Sequence, residues 1–282
     1  MILALETSGR SGSAAIYFPS GDVVTAFTPL AEGSARTLAP AISQLLEASR
    51  IRPSELTAVA VTVGPGSFTG LRVGVALAKA IAYGLKIPVI GVDTLEVIAT
   101  DFQHWLEYFE FCPCKSPILA SGELASGDDT LKSLEFWTAL DAYRGEFFVA
   151  KWLISKIQPE SLVAKYDLPL SGALSIDCVM PSHIVARLAW YESCASEASQ
   201  VTVVGSGCAK LRSGPLIFDR SVVWHPNILP TAMSVGRIGY QKLSSGKAVS
   251  PMELMPVYLR GSAAEEKKGA EASKLPGSCQ AN

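Results

Sequence analysis

The sequence predicts an α/β protein made of two related lobes with mixed sheets, and three observations carry this. The first is the element order: short apolar runs alternate with helical patterns as βββαβαβα over residues 1–100. The second is a pair of echoes. Ala4-Leu5-Glu6 recurs as Ala139-Leu140-Asp141, and Val61-Thr62-Val63-Gly64-Pro65-Gly66 recurs as Val201-Thr202-Val203-Val204-Gly205-Ser206-Gly207, in the same order and at offsets of 135 and near 140. The third is size: 282 residues, 49% hydrophobic and 18% charged, supply two cores and little material for a long charged disordered region.

The elements follow from local pattern. Ile2–Thr7, Ala14–Phe18 and Val23–Phe27 read as antiparallel strands separated by turn-rich Ser8–Gly12 and Pro19–Asp22. Thr37–Ser49 reads as a helix, with Pro40 in its first turn and Leu38, Ile42 and Leu45 on one face. A strand at Leu56–Val63 leads into Gly64-Pro65-Gly66-Ser67-Phe68-Thr69-Gly70, then a helix to about Gly84, a strand at Val89–Val92 and a short helix from Thr94. Residues 101–133 lose the pattern and read as a connection or insertion. Leu134–Ala142 and Glu146–Ile154 read as a hairpin around Tyr143-Arg144-Gly145. A helix is expected over Pro181–Cys194, a strand at Val201–Val204 and a helix at about Thr231–Ser244. The expected division is a first lobe, 1–100, joined by a returning helix around 231–246, a second lobe, 101–230, and a polar, disordered tail, 262–282.

Charge and composition narrow the function. A net charge of −2 provides no global attraction for nucleic acid or anionic lipid, so any such contact is local. Met1–Glu6 lacks the basic start and long apolar stretch of a signal peptide. Val73–Val92 carries Lys79 and Lys86 and is broken by Pro88, short of the ~20 uninterrupted apolar residues of a membrane span. Six scattered cysteines in a chain this long fit a reducing compartment, and the cytoplasm is expected.

Two segments carry a candidate site. Gly64–Gly70 is a glycine-rich turn between a strand and a helix, where backbone N–H groups and the helix N-terminus favour an anion. Gly64, Gly66, Ser67 and Thr69 are therefore candidate nucleotide or anion contacts, although the run matches neither a dinucleotide fingerprint nor a Walker loop. The alternative is a tight turn whose glycines only permit helix–sheet packing, and both stay open here. On the helix that follows, Arg72, Ala76, Lys79 and Tyr83 form one narrow stripe, and Gly70, Gly74, Ala78 and Ala82 recur every four residues, a smooth track for a second helix. Gly70, Leu71, Gly74, Val75, Ala78 and Ala82 are the candidate partner interface on this helix. The alternative is that both faces are covered by the chain's own helices.

Catalysis has weak support. Glu6 and Asp141 close strands without an acidic cluster, and His104, His183 and His225 form no metal-binding pair. Cys112-Pro113-Cys114 has no second cysteine pair, and Ser67 has no placed base. No catalytic residue and no metal ligand is expected.

Val63-Gly64-Pro65-Gly66-Ser67-Phe68-Thr69-Gly70-Leu71-Arg72-Val73-Gly74, the opening Ile2-Leu3-Ala4-Leu5-Glu6-Thr7-Ser8, the Asp141-Ala142-Tyr143-Arg144-Gly145-Glu146 turn and the closing Pro256-Val257-Tyr258-Leu259-Arg260 resemble the TsaB (YeaZ) family, over nearly the whole chain except 101–133 and the tail. The resemblance implies an actin/hexokinase-type ATPase fold (ribonuclease H-like) of the glycoprotease-like branch. It also implies a non-catalytic pairing subunit that joins a metal-bearing, TsaD-type catalytic paralogue and a TsaE-type ATPase. That complex transfers a threonylcarbamoyl group to N6 of the adenosine 3′ of the anticodon in tRNAs reading A-starting codons. It implies no cofactor of the chain's own, a nucleotide at the subunit junction being open, and pairing through the helices corresponding to Thr37–Ser49, with Leu38, Ile42 and Leu45 in the interface, and Thr69–Gly84. An apolar patch without its partner tends to find a copy of itself, so a homodimer through the same surface is expected in isolation. Glu6, Ser34 and Tyr143 depart from the family pattern, where Asp, His and Arg are usual. The competing functions are a nucleotide-dependent phosphotransferase using Glu6 and Asp141, and a glycoprotease-like peptidase.

Overall fold

The computed structural model describes residues 1–9, 12–28, 34–111, 133–156, 174–195, 200–213 and 221–259. The expected tail and most of the expected insertion lie outside them. The first sheet holds β1 (Ile2–Glu6), β2 (Gly12–Tyr17), β3 (Val23–Thr28), β4 (Ala58–Gly64) and β5 (Val89–Asp93), with α1 (Ser34–Ala48) and α2 (Phe68–Leu85) inserted between strands. The second holds β6 (Ser133–Asp141), β7 (Glu146–Lys156), β8 (Leu174–Ala186), β9 (Gln200–Val204) and β10 (Ser221–His225). Four more helices complete the described elements: α3 (Thr94–Phe111), α4 (Arg187–Ala195), α5 (Cys208–Arg212) and α6 (Ala232–Ser244).

The strand orders are β3-β2-β1-β4-β5 and β8-β7-β6-β9-β10. In each sheet the first three strands are antiparallel neighbours, and the fourth and fifth add in parallel beside the first. The two sheets are therefore the same topology used twice, and the sequence echoes fall on matched strands: Glu6 and Asp141 both end the first strand, and both Gly-x-Gly turns follow the fourth.

Burial explains why β1 and β4 read as unbroken apolar runs, since both strands are covered on both faces. Leu3, Leu5, Val59 and Val61 join the core under α1 and α2, while Ile2, Ala4, Ala58 and Ala60 join the core under α6. The α6 face is lined by alanine because α6 comes very close. A Cβ on Gly239 would sit 2.5 Å from that of Ala60, and one on Gly236 would sit 2.7 Å from that of Tyr17. In the second lobe, Phe136, Phe148 and Trp152 pack with α3, whereas Trp137, Val149 and Val203 pack with Trp190 of α4 and Leu211 of α5.

The connecting helices cross over. α3 follows the last strand of the first sheet but buries Leu95, Ile98, Ala99 and Phe102 against the second. α6 follows the last strand of the second sheet but buries Ala232, Val235 and Ile238 against the first. Asp101 of α3 accepts bonds from the Thr231 N–H at 3.0 Å and the Thr231 and Ser234 hydroxyls at 2.7 Å, capping α6. Lys242 pairs with Glu96 at 2.7 Å on the same helix pair.

Three expectations differ from the structure. The helix from Thr94 is long and occupies residues through Phe111, where a connection was expected; Phe102 and Trp105 face the second sheet. Pro181–Cys194 is not one helix: β8 runs to Ala186 and only Arg187–Ala195 is helical. Pro181, taken as a helix start, lies on the edge strand where a missing N–H is tolerated, beside register shifts at Lys151. β10 and α5 have no counterpart in the sequence reading. By length and composition α2 also passes as a membrane-spanning helix, yet six of its residues are buried in the chain's own core.

Gly239→Ala is expected to overpack the α6–sheet contact and cost about 1–3 kcal/mol. Urea unfolding checks this, and an unchanged midpoint would mean that α6 does not approach Ala60 as described.

Candidate pairing surface

The glycine-rich turn is shaped by what lies beneath it. β4 delivers Gly64 with φ +132° into a cis Gly64–Pro65 bond, and a Cβ there would meet the Val257 carbonyl oxygen at 2.4 Å. Gly66 lies against Ser8, its would-be Cβ 2.7 Å from the Ser8 oxygen. Gly70 and Gly74 continue the contact, each 2.1 Å from Thr7 by the same measure. The turn and the start of α2 therefore rest directly on the backbone at the end of β1.

This packing uses the donors that an anion would need. The Ser67 N–H donates to the Ser8 carbonyl at 2.8 Å, and the Ser67 hydroxyl caps α2 by accepting from the Gly70 N–H at 3.3 Å. Thr69 is exposed. Of the four candidate anion contacts, Gly64 and Gly66 pack against the chain, exposed Ser67 caps the helix, and Thr69 is exposed.

The candidate interface residues face the wrong way for a partner. Gly70, Leu71, Gly74, Val75, Ala78 and Ala82 are all buried within the chain, as are Leu38, Ile42 and Leu45 of α1. The track of small residues at 70, 74, 78 and 82 is the contact with the chain's own β1 and β4. The helix has a second such track half a turn away: Ala76, Ala80 and Gly84 are exposed, beside exposed Thr69 and Tyr83 and half-buried Val73 and Leu77. Tyr83 is 70% exposed, which is unusual for a large ring and marks this face as uncovered.

A C-terminal strap borders the face. Lys79 Nζ donates to the Leu254 carbonyl at 3.0 Å, Arg72 Nε donates to the Tyr258 hydroxyl at 3.0 Å, and the Val257 N–H donates to the Val63 carbonyl at 2.8 Å. Arg72 also lies 3.9 Å from the centroid of the Phe68 ring. Both cations of the stripe are thus turned onto the chain itself, so the outward face is apolar and smooth.

The two strand-end acids differ in exposure. Glu6 is 1% exposed and accepts from the Ser8 N–H at 2.7 Å and from the Ser8 hydroxyl. Burial pushes its pKa up to about 7 against those hydrogen bonds, with the nearby Asp101 charge adding to the rise. Burial likewise pushes Asp101 up to about 7, against its bonds from Ser234 and Thr231. In the second lobe Asp141 accepts from the Tyr143 N–H at 3.0 Å, the counterpart of the Glu6–Ser8 bond, and pairs with Lys210. The histidines are dispersed: His104 sits against Arg237, where burial and that charge lower its pKa to about 4, His183 lies against the Pro181 carbonyl, and His225 packs on Phe102 and Trp105. Among the described residues no group of three His, Cys, Asp or Glu side chains could hold a metal.

A family model described as TsaD, tRNA N6-adenosine threonylcarbamoyltransferase, matches residues 30–116, the α1–α3 region. The tRNA threonylcarbamoyladenosine biosynthesis protein TsaB of Escherichia coli is 26% identical over 94% of this chain and 97% of its own length. The chain is thus similar to a TsaB protein over nearly its whole length. The Bacillus subtilis TsaB is 35% identical over 37% of this chain, a match that spans 45% of that relative. The solved structure of YeaZ from Pseudomonas aeruginosa shares the fold, with a TM-score of 0.65 at 20% identity over 92% of this chain and 99% of that one. These similarities agree with the resemblance read from the sequence.

Three residues were missed in the sequence. Asp101 gives no signal, since one acid in an aromatic helix looks solvated. Ala76 was read as part of the stripe with Arg72, Lys79 and Tyr83, and Ala80 was not singled out.

Two outcomes follow from the buried groups. Because the native Glu6 and Asp101 retain protons that the unfolded chain releases near pH 4, stability is expected to fall as pH rises from about 5 through about 7 and to level off above it, on the order of 2 kcal/mol per group. Glu6→Gln, which cannot ionise, flattens its share of the slope and raises stability at pH 8; urea midpoints at pH 5.5, 7 and 8.5 check both. Gly74→Ala, which drives a Cβ onto buried Thr7, is expected to destabilise the monomer by about 1–3 kcal/mol. A fully stable variant would mean that this face is not internal.

Proposed function

We propose that this chain is a non-catalytic pairing subunit of the machinery that makes threonylcarbamoyladenosine in tRNA. The E. coli and B. subtilis relatives carry names in that biosynthesis, and residues 30–116 match a transferase-type model, so the chain and such a transferase share the α1–α3 region. The observation that carries the reading is the uncovered face of α2, with Ala76, Ala80 and Gly84 spaced for close helix approach and Tyr83 exposed at 70%. The occupant is a TsaD-type paralogue presenting its own corresponding helices, so that like faces meet about a pseudo-two-fold axis. A TsaE-type ATPase joins the pair, tRNA is handled by the assembled complex in the cytoplasm, and a homodimer forms through the same face when the paralogue is missing. The chain alone carries no transfer activity.

Ala80→Arg places a long cation on the outer face without touching the core. It is expected to keep the melting temperature of the parent and to weaken pairing with the TsaD-type subunit by at least about 100-fold, in line with a hot-spot loss of ~3 kcal/mol. Calorimetric titration of the folded variant checks this; unchanged affinity would move the pairing surface elsewhere.

A further inference from the structure

The tip of the β6–β7 hairpin is built at a conformational cost that the turn itself does not require. Tyr143, Arg144 and Gly145 all have positive φ, at 64°, 56° and 81°. Ala142 and Glu146 close the loop, the Ala142 N–H donating to the Glu146 carbonyl at 3.0 Å and the Glu146 N–H to the Tyr143 carbonyl at 3.1 Å. Asn is the residue that such positions favour besides Gly. A tyrosine and an arginine held there are strained, and strained side chains concentrate where they contact a ligand.

The surroundings give that contact a chemistry. Tyr143 is 61% exposed. Asp141 holds the tip from beneath by accepting the Tyr143 N–H, and it also pairs with Lys210, whose Nζ lies 5.2 Å from the centroid of the Tyr143 ring. The loop that carries Lys210 is tied to β6 by the Gly207 N–H donating to the Ala139 carbonyl at 3.0 Å. Arg212 is exposed in the last turn of α5 with Lys210. The Arg187 N–H donates to the Gly145 carbonyl at 3.2 Å, bringing the start of α4 to the same tip. Arg144 and Lys210 thus stand at the tip with two carboxylates, Asp141 and Glu146, while Arg187 at the start of α4 lies over the Phe147 ring and exposed Arg212 ends the short helix that carries Lys210.

We propose that the Tyr143–Arg144 tip, with Lys210 and Arg212, is an RNA contact through which this subunit touches the tRNA substrate: the ring stacks on an unpaired base and the cations meet backbone phosphates. The inference rests on the pairing-subunit reading above and gives the subunit a part in substrate binding. An exposed ring flanked by cations suits RNA better than a protein surface, because bases supply flat faces and phosphates supply charge at the same spacing.

The test uses the complex of the full chain with its TsaD-type partner and a fluorescently labelled tRNA, titrated at two salt concentrations. Tyr143→Asn/Arg144→Asn suits the turn better than the native pair, so the melting temperature is expected to hold or rise. Affinity for tRNA is expected to fall about tenfold or more, the loss of one stacked base, and the salt dependence to become shallower by nearly one power of salt concentration. Lys210→Ala, a second variant away from the turn, is expected to shift affinity and salt dependence in the same direction. In turnover, KM for tRNA rises while kcat holds. Wild-type affinity and salt dependence in both variants would overturn the inference and leave the pairing reading intact. Loss of pairing with unchanged tRNA affinity would assign the tip to a protein contact and overturn it as well. A parent complex that binds no tRNA would overturn the pairing-subunit reading and this inference together.

Discussion

The contact of Gly66, Gly70 and Gly74 with Ser8 and Thr7 sets where everything else in the first lobe can go. Gly66 and Gly70 meet the backbone of Ser8 and Thr7 and Gly74 meets the Thr7 side chain, so α2 and its leading turn lie close on the end of β1. That closeness turns the 70/74/78/82 track inward, and the opposite track, 76/80/84, is left outside. It also spends the Ser67 N–H on the Ser8 carbonyl and holds Ser8 over Glu6. One steric requirement therefore fixes the helix, closes the turn and buries an acid that an exposed strand end would have left in water. An apolar face remains on the surface as the consequence, and a face of that kind is retained in a folded protein when something covers it.

The second lobe repeats the plan with different chemistry at the matching positions. Asp141 bonds the N–H two residues on, as Glu6 does, and Gly205 and Gly207 approach Ala139 as the first turn approaches Ser8. Asp141 is nevertheless reachable and paired with Lys210, while Glu6 is sealed. The exchange of α3 and α6 between the sheets joins the lobes by hydrophobic packing and by the Asp101 cap. Burial pushes the Glu6 and Asp101 carboxyls up to about 7, and the crossing helices pack each sheet against the helix that follows the other.

Most of the fold was legible because the duplication left traces in short words such as Ala-Leu-Glu and Ala-Leu-Asp, and because β1 and β4 are buried on both faces and so are apolar throughout. The β8–α4 boundary was not legible: Pro181 starts helices and also sits on sheet edges, and only the pairing of β7 with β8 separates the two. The direction of α2 was not legible either. Its sequence contains two tracks of small residues on opposite sides, and nothing within the helix says which one meets Thr7. Asp101 needed the structure as well, because its partners Thr231 and Ser234 lie 130 and 133 residues away.

The central claim is that α2 has an inner face committed to its own lobe and an outer face committed to a partner. Cysteine labelling of the single replacements Ala80→Cys and Ala78→Cys, read by peptide mass with and without the TsaD-type subunit, addresses both halves. The account predicts rapid modification at position 80 in the free chain, protection there once the partner is added, and no modification at position 78 in either state. Equal labelling of position 80 with and without a bound partner, or ready labelling of position 78 in the folded free chain, would contradict it.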